Sequence, residues 1–127
     1  MPTLEQTITS AITWFEIPAT NFARAVRFYE TIFATPLRHE SAWPNLAIFP
    51  YQRPGVSGAV AYGEGHRPSG DGVVIYLNCD GRFDDVLGRV EAAGGSIVEP
   101  KSHIPNVGWV AQIRDSEGNR IGLHAAV

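Results

Sequence analysis

One carboxylate and one imidazole are the side chains best placed for proton transfer in this 127-residue chain. Side chains two residues apart on a strand share a face, and this alternation predicts that Glu16 and His124 face the same cleft. A histidine titrates near neutral pH, whereas the pKa of a half-buried carboxylate is raised by desolvation and lowered by a cation such as Arg120. We therefore predict Glu16 and His124 as the catalytic acid and base of any reaction at this cleft.

The same alternation predicts four ligand-binding residues beside this pair. When the apolar set of each alternating strand faces the helices, the other set faces the cleft. That set includes Trp14, Tyr76, Asn78 and Arg120. Two aromatic rings with a few polar groups are typical of a small-molecule site. Simple space-filling by the two aromatic residues, and pairing of Glu16 with Arg120, are the structural alternatives.

The other histidines and the single cysteine carry weaker signals. We expect His39, His66 and His103 to be surface residues of loops, and Cys79 to be a small packed hydrophobe. A lone cysteine excludes an internal disulfide and a thiolate zinc site, which favours a reducing compartment and a cytoplasmic protein.

Two amphipathic helices, which must position these residues, repeat one another. In the first, apolar residues recur at helical spacing after the predicted N-cap Asn21: Phe22, Ala25, Val26, Tyr29, Ile32 and Phe33. In the second, starting near Asp80 and ending at Gly94-Gly95, they are Phe83, Val86, Leu87, Val90 and Ala93. Phe83 follows Phe22, and Val90 follows Tyr29, by the same 61 positions.

Each helix is flanked by one strand before it and three after it, which predicts an α+β fold of two βαβββ modules. The predicted strands are Ile12–Ile17, Leu37–Glu40, Asn45–Pro50 and Ser57–Tyr62 in the first module, and Val73–Asn78, Ser96–Glu99, Trp109–Arg114 and Arg120–Ala125 in the second. Module one spans about residues 11–62 and module two about 72–127 of a single domain, 1–127. A Gly-rich loop, Gly63–Gly72, joins them. A ferredoxin-like sandwich with coincidentally similar helices is the alternative.

Two segments resemble the vicinal oxygen chelate superfamily, which includes glyoxalases, bleomycin-resistance proteins and extradiol dioxygenases. The segment Trp14–Phe33 carries Arg24-Ala25 and Phe28-Tyr29 pairs similar to the opening of these proteins. Gly108–His124 resembles their closing hairpin, with Asp115, Gly118 and Asn119 shaping its turn. The resemblance implies curved sheets around a central cleft with the helices outside.

In many members of that superfamily four side chains, usually His, Glu or Gln, hold a divalent metal in the cleft. The resemblance assigns three of these positions to Trp14, Val74 and Gly122, and the fourth to the strand Ser57–Tyr62, which contains no His, Glu or Gln. These residues lack the oxygen and imidazole donors that such a cation needs. We therefore expect no cofactor and no metal site.

Composition limits the kinds of partner that we expect this chain to bind. The formal charge of −3 offers no basic field for nucleic acid, and no apolar run reaches the ~18 residues needed to cross a bilayer. We expect a small organic ligand, no nucleic-acid or membrane partner, and a homodimer, because relatives of this size commonly pair and short modules leave strand edges to cover.

The main functional hypothesis is a metal-independent, glyoxalase-like small-molecule-binding protein, of lyase or isomerase type if it is an enzyme. One alternative is a non-catalytic module that sequesters a drug or metabolite. The other is a metal-dependent lyase or dioxygenase with a displaced metal site, which would need Glu16, His124 and two further ligands.

Overall fold

A computed structural model describes residues 10–127 and confirms the α+β class with two βαβββ modules. The first module contains β1 (Trp14–Ala19), α1 (Phe22–Phe33), β2 (Arg38–Glu40), β3 (Trp43–Ile48) and β4 (Ser57–Tyr62). The second contains β5 (Tyr76–Asn78), α2 (Phe83–Arg89), β6 (Ser96–Ile104), β7 (Gly108–Arg114) and β8 (Arg120–Ala125). Within residues 10–127, neither helix has the length and apolar character that crossing a bilayer requires.

The modules form two separate four-stranded sheets with the same mixed topology. Their strand orders are β1-β4-β3-β2 and β5-β8-β7-β6. In each sheet the first strand of the module pairs in parallel with the last, and the other neighbours are antiparallel. The repeat inferred from the helices is thus a repeat of whole modules.

Helix α1 begins and ends where local chemistry directs it. The side chain of Asn21 accepts a hydrogen bond from the backbone N–H of Arg24 at 3.0 Å, which confirms the predicted N-cap. Ala34 follows the helix in the left-handed conformation and returns its backbone N–H to the last turn. The buried face is the one predicted by the apolar spacing, with Tyr29 and Ile32 fully buried.

Several predicted element bounds were wrong. Helix α2 starts at Phe83 rather than near Asp80, because Gly81 adopts a positive φ of 77° and keeps the chain in a turn. Its helical part ends at Arg89, and turns continue to Gly94. Strand β5 starts at Tyr76 rather than Val73, and β6 runs to Ile104, beyond the predicted Glu99.

Strand alternation divides each sheet into a core face and the opposite face, which we call the cleft face. Alternate residues of β1, β5, β7 and β8 join the core beneath the helices: Ile17, Ala19, Leu77, Ala111, Ile113, Ile121, Leu123 and Ala125. The intervening residues therefore lie on the cleft face. These include Trp14 and Glu16 on β1, Tyr76 and Asn78 on β5, and Arg120 and His124 on β8, in agreement with the predicted parity.

The turn between β7 and β8 locks the two modules together. Asp115 is buried and accepts hydrogen bonds from the Tyr29 hydroxyl at 2.6 Å and from the Asn119 side chain at 2.9 Å. Burial, reinforced by the neighbouring carboxylate, raises the pKa of Tyr29 well above its ordinary value, so the phenol keeps its proton and donates it to this bond. The Asp115-x-x-Gly118-Asn119 motif is thus a structural junction as well as a turn.

Glu117, in the same turn, caps helix α1 across the module boundary. Its Oε1 accepts the backbone N–H groups of Thr20 at 2.9 Å and Asn21 at 2.7 Å. Its Oε2 pairs with Nε of Arg24 at 2.6 Å. Desolvation alone would raise the pKa of Glu117, but these bonds together lower it. The charge at the start of α1 is therefore supplied by the other module.

Candidate ligand-binding site

Three polar side chains on the cleft face of the second module form a connected row, which we call the donor ladder: Tyr76, Gln112 and Arg120. Nε2 of Gln112 donates to the Tyr76 hydroxyl at 2.7 Å, and Nε of Arg120 donates to Oε1 of Gln112 at 2.7 Å. Tyr76 is 48% exposed, while Gln112 and Arg120 are half-buried. The ladder is thus held in place by its own hydrogen bonds and remains open on one side.

The ring of Tyr76 lies directly against Gly122 on the neighbouring strand. A Cβ atom added at Gly122 would overlap this ring. Gly122 is the position to which the family resemblance assigns the last metal ligand, so the space for that ligand is filled by an aromatic ring.

The residues at the family's metal positions do not fit a divalent cation. The indole of Trp14, the isopropyl group of Val74 and the hydrogen of Gly122 are not metal ligands. Within residues 10–127, no group of three or more His, Cys, Asp or Glu side chains could hold a metal ion. The displaced site considered above, built on Glu16 and His124, thus has no donor set in this part of the chain.

Glu16 on β1 is held by two side chains on the cleft side of the first module. Its Oε1 accepts a hydrogen bond from Nε2 of His66 at 2.7 Å, and its Oε2 accepts one from the Trp14 indole at 3.2 Å. The His66 bond lowers the pKa of Glu16 by more than partial burial raises it, and the Trp14 bond adds to the lowering. Glu16 is therefore an ionised acceptor, and its partner is His66 rather than the Arg120 considered above.

His66 itself was wrongly expected to be a simple surface residue. It belongs to the linker Gly63–Gly72 but is half-buried, because the linker folds back far enough for its ring to reach β1. His39 and His103 are exposed as predicted. His39 lies in β2, within the predicted strand Leu37–Glu40, whereas His103 lies in β6 rather than in a loop. Cys79 is fully buried as expected, and desolvation raises the pKa of its thiol to about 11.

A cavity of about 220 Å³ brings Glu16 and Arg120 together at the junction of the modules. Its wall also includes the linker residues Arg67 and Asp71, the apolar residues Val73 and Ile75 that precede β5, and the core residues Ile17 and Ile121. The cavity thus combines apolar surface with convergent polar groups, as small-molecule sites do.

The remaining predicted residues lie elsewhere on the cleft face. His124 is not part of the wall just described, and its Nε2 donates to the Val107 carbonyl at 2.7 Å. Asn78 lines a second, larger cavity of about 470 Å³ whose floor is apolar: Phe15, Phe33, Phe49 and Leu77. Its amide oxygen accepts the backbone N–H of Asp80 at 2.8 Å. The structure therefore places Glu16 and Arg120 in the wall of one cavity, and His124 and Asn78 outside it.

Some polar groups of the larger cavity already have partners within the protein. Arg82 donates to the Phe33 carbonyl at 3.2 Å and stacks on the Phe33 ring with 5.0 Å to its centre. Asp80 accepts the backbone N–H of Ala126 at 2.7 Å. Of the ladder residues, Arg120 alone lines the smaller cavity, and Glu16 of the other module lies in the same wall. This convergence of charged groups from both modules makes the smaller cavity our candidate for recognition.

Two site residues were missed by sequence reasoning. Gln112 could have been found, because Ala111 and Ile113 are core residues of β7 and alternation sends Gln112 to the cleft face. His66 could not, since its contact with Glu16 spans 50 residues and depends on the path of a loop.

Comparisons with known proteins agree with this fold. The sequence profile of the Glyoxalase/Bleomycin resistance protein/Dioxygenase superfamily matches residues 11–123. The chain therefore belongs to this superfamily. No protein of curated function matches the sequence.

Solved structures with the same fold are distant in sequence. A glyoxalase/bleomycin resistance protein from Albidiferax ferrireducens T118 is 16% identical over 93% of this chain and 100% of that one, with a TM-score of 0.74. A family enzyme from Burkholderia phytofirmans PsJN is 13% identical over 91% and 98%, with a TM-score of 0.68. A glyoxalase I mutant from Zea mays is 17% identical over 89% of this chain and 46% of its own, with a TM-score of 0.63. At these identities the likeness establishes the fold alone.

Proposed function

We propose that this protein binds a small organic molecule on the cleft face without a metal ion, in the cavity between Glu16 and Arg120. The observation that carries the proposal is the seating of Tyr76 on Gly122. The Tyr76 ring fills the space of the family's last metal ligand, and its hydroxyl group belongs to the donor ladder. We therefore propose that side chains recognise the ligand in place of a metal cation.

If the bound molecule is transformed, we propose Glu16 as the proton carrier and His66 as the side chain that orients it. Glu16 lines the cavity, whereas His124, the other acid–base candidate, lies outside its wall. Proton transfer by a positioned group contributes on the order of a hundredfold to ten-thousandfold in rate. A positioned proton carrier of this kind fits lyase and isomerase chemistry. A protein that only sequesters the molecule would bind it without using Glu16 as an acid or base.

A thermal-shift screen of small aromatic acids, thioesters and antibiotics, run with and without a chelator, tests this proposal. We expect hits whose stabilisation is unchanged by chelation and reduced in Tyr76→Phe. Metal analysis of the purified protein is the matched measurement. Stoichiometric zinc, nickel, iron or manganese, or hits that vanish on chelation and return with one cation, would contradict the proposal.

A further inference from the structure

We propose that the donor ladder binds an oxyanion, the carboxylate or phosphorus oxyanion of the small organic ligand. This inference rests on the proposed function and specifies the chemical class that the site selects. It follows from the hydrogen-bonding inventory of three side chains and from the charges around them.

The central amide of the ladder is used on both sides. Gln112 donates through its nitrogen to Tyr76 and accepts through its oxygen from Arg120. Because the Tyr76 oxygen already accepts a bond, its hydroxyl proton is left to donate. Arg120 is fixed through Nε, and its two terminal nitrogens have no hydrogen-bond partner within residues 10–127. The groups that the ladder leaves free include the Tyr76 hydroxyl proton and the terminal N–H groups of Arg120, all of which can donate to an incoming ligand.

The charge of Arg120 is also uncompensated by direct contact. None of the ion pairs formed within residues 10–127 includes Arg120, and its fixed contact is with a neutral amide. Glu16, the nearby carboxylate of the same cavity, already has both oxygens engaged by His66 and Trp14. A guanidinium held by one nitrogen, with its terminal nitrogens open, matches the two-oxygen edge of a carboxylate or phosphate group.

The linker supplies the other charges of the cavity wall. Arg67 adds a second cation, and Asp71 adds an exposed carboxylate at the solvent side. Val73 and Ile75 supply apolar surface beside them. The cavity therefore suits a ligand with one anionic group at Arg120, the ladder residue that lines it, and a compact apolar body, of a size limited by about 220 Å³.

Isothermal titration with three phenyl compounds of nearly equal size tests the inference: benzoate, phenylphosphonate and neutral benzamide. We expect at least one anion to bind about tenfold more tightly than benzamide. The benzoate and phenylphosphonate arms separate a carboxylate from a phosphorus oxyanion as the preferred group.

Variants locate the binding. Arg120→Gln should weaken the preferred anion about tenfold, and Arg120→Lys should recover only part of this loss, because a lysine keeps the charge without the planar fork. Gln112→Leu should weaken binding less, since it removes the positioning bonds and leaves the guanidinium. Arg27→Gln on the exposed side of α1 is the matched control and should change nothing. Melting temperatures verify that each variant is folded.

Three results overturn the inference, and the third alone also overturns the proposed function. Equal affinity for benzamide and the anions, with binding still lowered by Tyr76→Phe, refutes the oxyanion but retains the site. Failure of both anions to bind at about 10 mM also refutes the oxyanion. Binding that neither Tyr76→Phe nor Arg120→Gln alters refutes the site as well.

Discussion

The ring of Tyr76 on β5 covers Gly122 on β8, in the space where a side chain at position 122 would begin. We predict that Gly122→Ala displaces the ring, breaks the Tyr76–Gln112 hydrogen bond and destabilises the protein by about 1–3 kcal/mol, the usual cost of overpacking. Urea unfolding measures this loss of unfolding free energy.

Gly88→Ala is the control for this substitution. Gly88 lies in helix α2 with no heavy atom near its missing Cβ, so alanine should stabilise the protein by about 0.5–1 kcal/mol. If both variants shift the unfolding free energy in the same direction, overlap with the Tyr76 ring is not what determines the effect of Gly122→Ala.

The Glu16–His66 contact predicts a specific dependence of stability on pH. The folded-state pKa of Glu16 is lowered, so its stabilisation is fully present above the unfolded value of 4.5 and is lost as pH falls through the lowered pKa. Because the pair is partly exposed, we expect about 0.2–1 kcal/mol. Unfolding of wild type and Glu16→Gln from pH 3 to 7 should show a difference that is constant near neutrality and disappears in acid.

Glu99→Gln is the matched control for that experiment, because Glu99 is an exposed carboxylate on β6. Its stability curve should parallel that of the wild type across the whole range. A Glu16→Gln deficit that grows as the pH falls would mean that the sign of the Glu16 shift is wrong.

The buried bond between Tyr29 and Asp115 predicts a large effect from the loss of a single oxygen. Tyr29→Phe leaves the buried carboxylate of Asp115 one donor short, which should cost about 1–3 kcal/mol of unfolding free energy. Tyr51→Phe removes the same atom from an exposed tyrosine and should be close to neutral. Equal losses in the two variants would show that the junction between modules does not depend on this bond.

Local periodicity was sufficient to predict most of the fold. The apolar spacing from Phe22 to Phe33 defines the buried face of α1, and alternation predicts which residues of β1, β5 and β8 face the cleft. The start of α2 was not predicted, because Gly81 was free to take the conformation that keeps the chain in a turn.

The site was predicted less completely because its partners are tertiary. Alternation predicted the face on which Glu16, Tyr76 and Arg120 lie, but the bonds that fix them come from Gln112 and from His66. The conformation of the linker that carries His66 is set by packing against the folded sheets, which no local pattern encodes.

A homodimer remains our prediction for the assembly. Strand β6 forms one edge of its sheet, is nine residues long and exposes Ile97 and Ile104. Long exposed edges with apolar residues favour pairing with another chain. Light scattering at micromolar concentration should give twice the mass of the 13.8 kDa chain. The mass of a single chain would refute this prediction.

Amide chemical-shift mapping tests the central claim, metal-independent binding on the cleft face, most directly. The strongest hit of the thermal-shift screen is titrated into chelator-treated, ¹⁵N-labelled protein. We predict the largest shifts at Tyr76, Gln112 and Arg120, with the titration unchanged by added zinc. Shifts confined to the larger cavity around Phe33 and Arg82, or binding that appears only after a metal is added, would contradict the account.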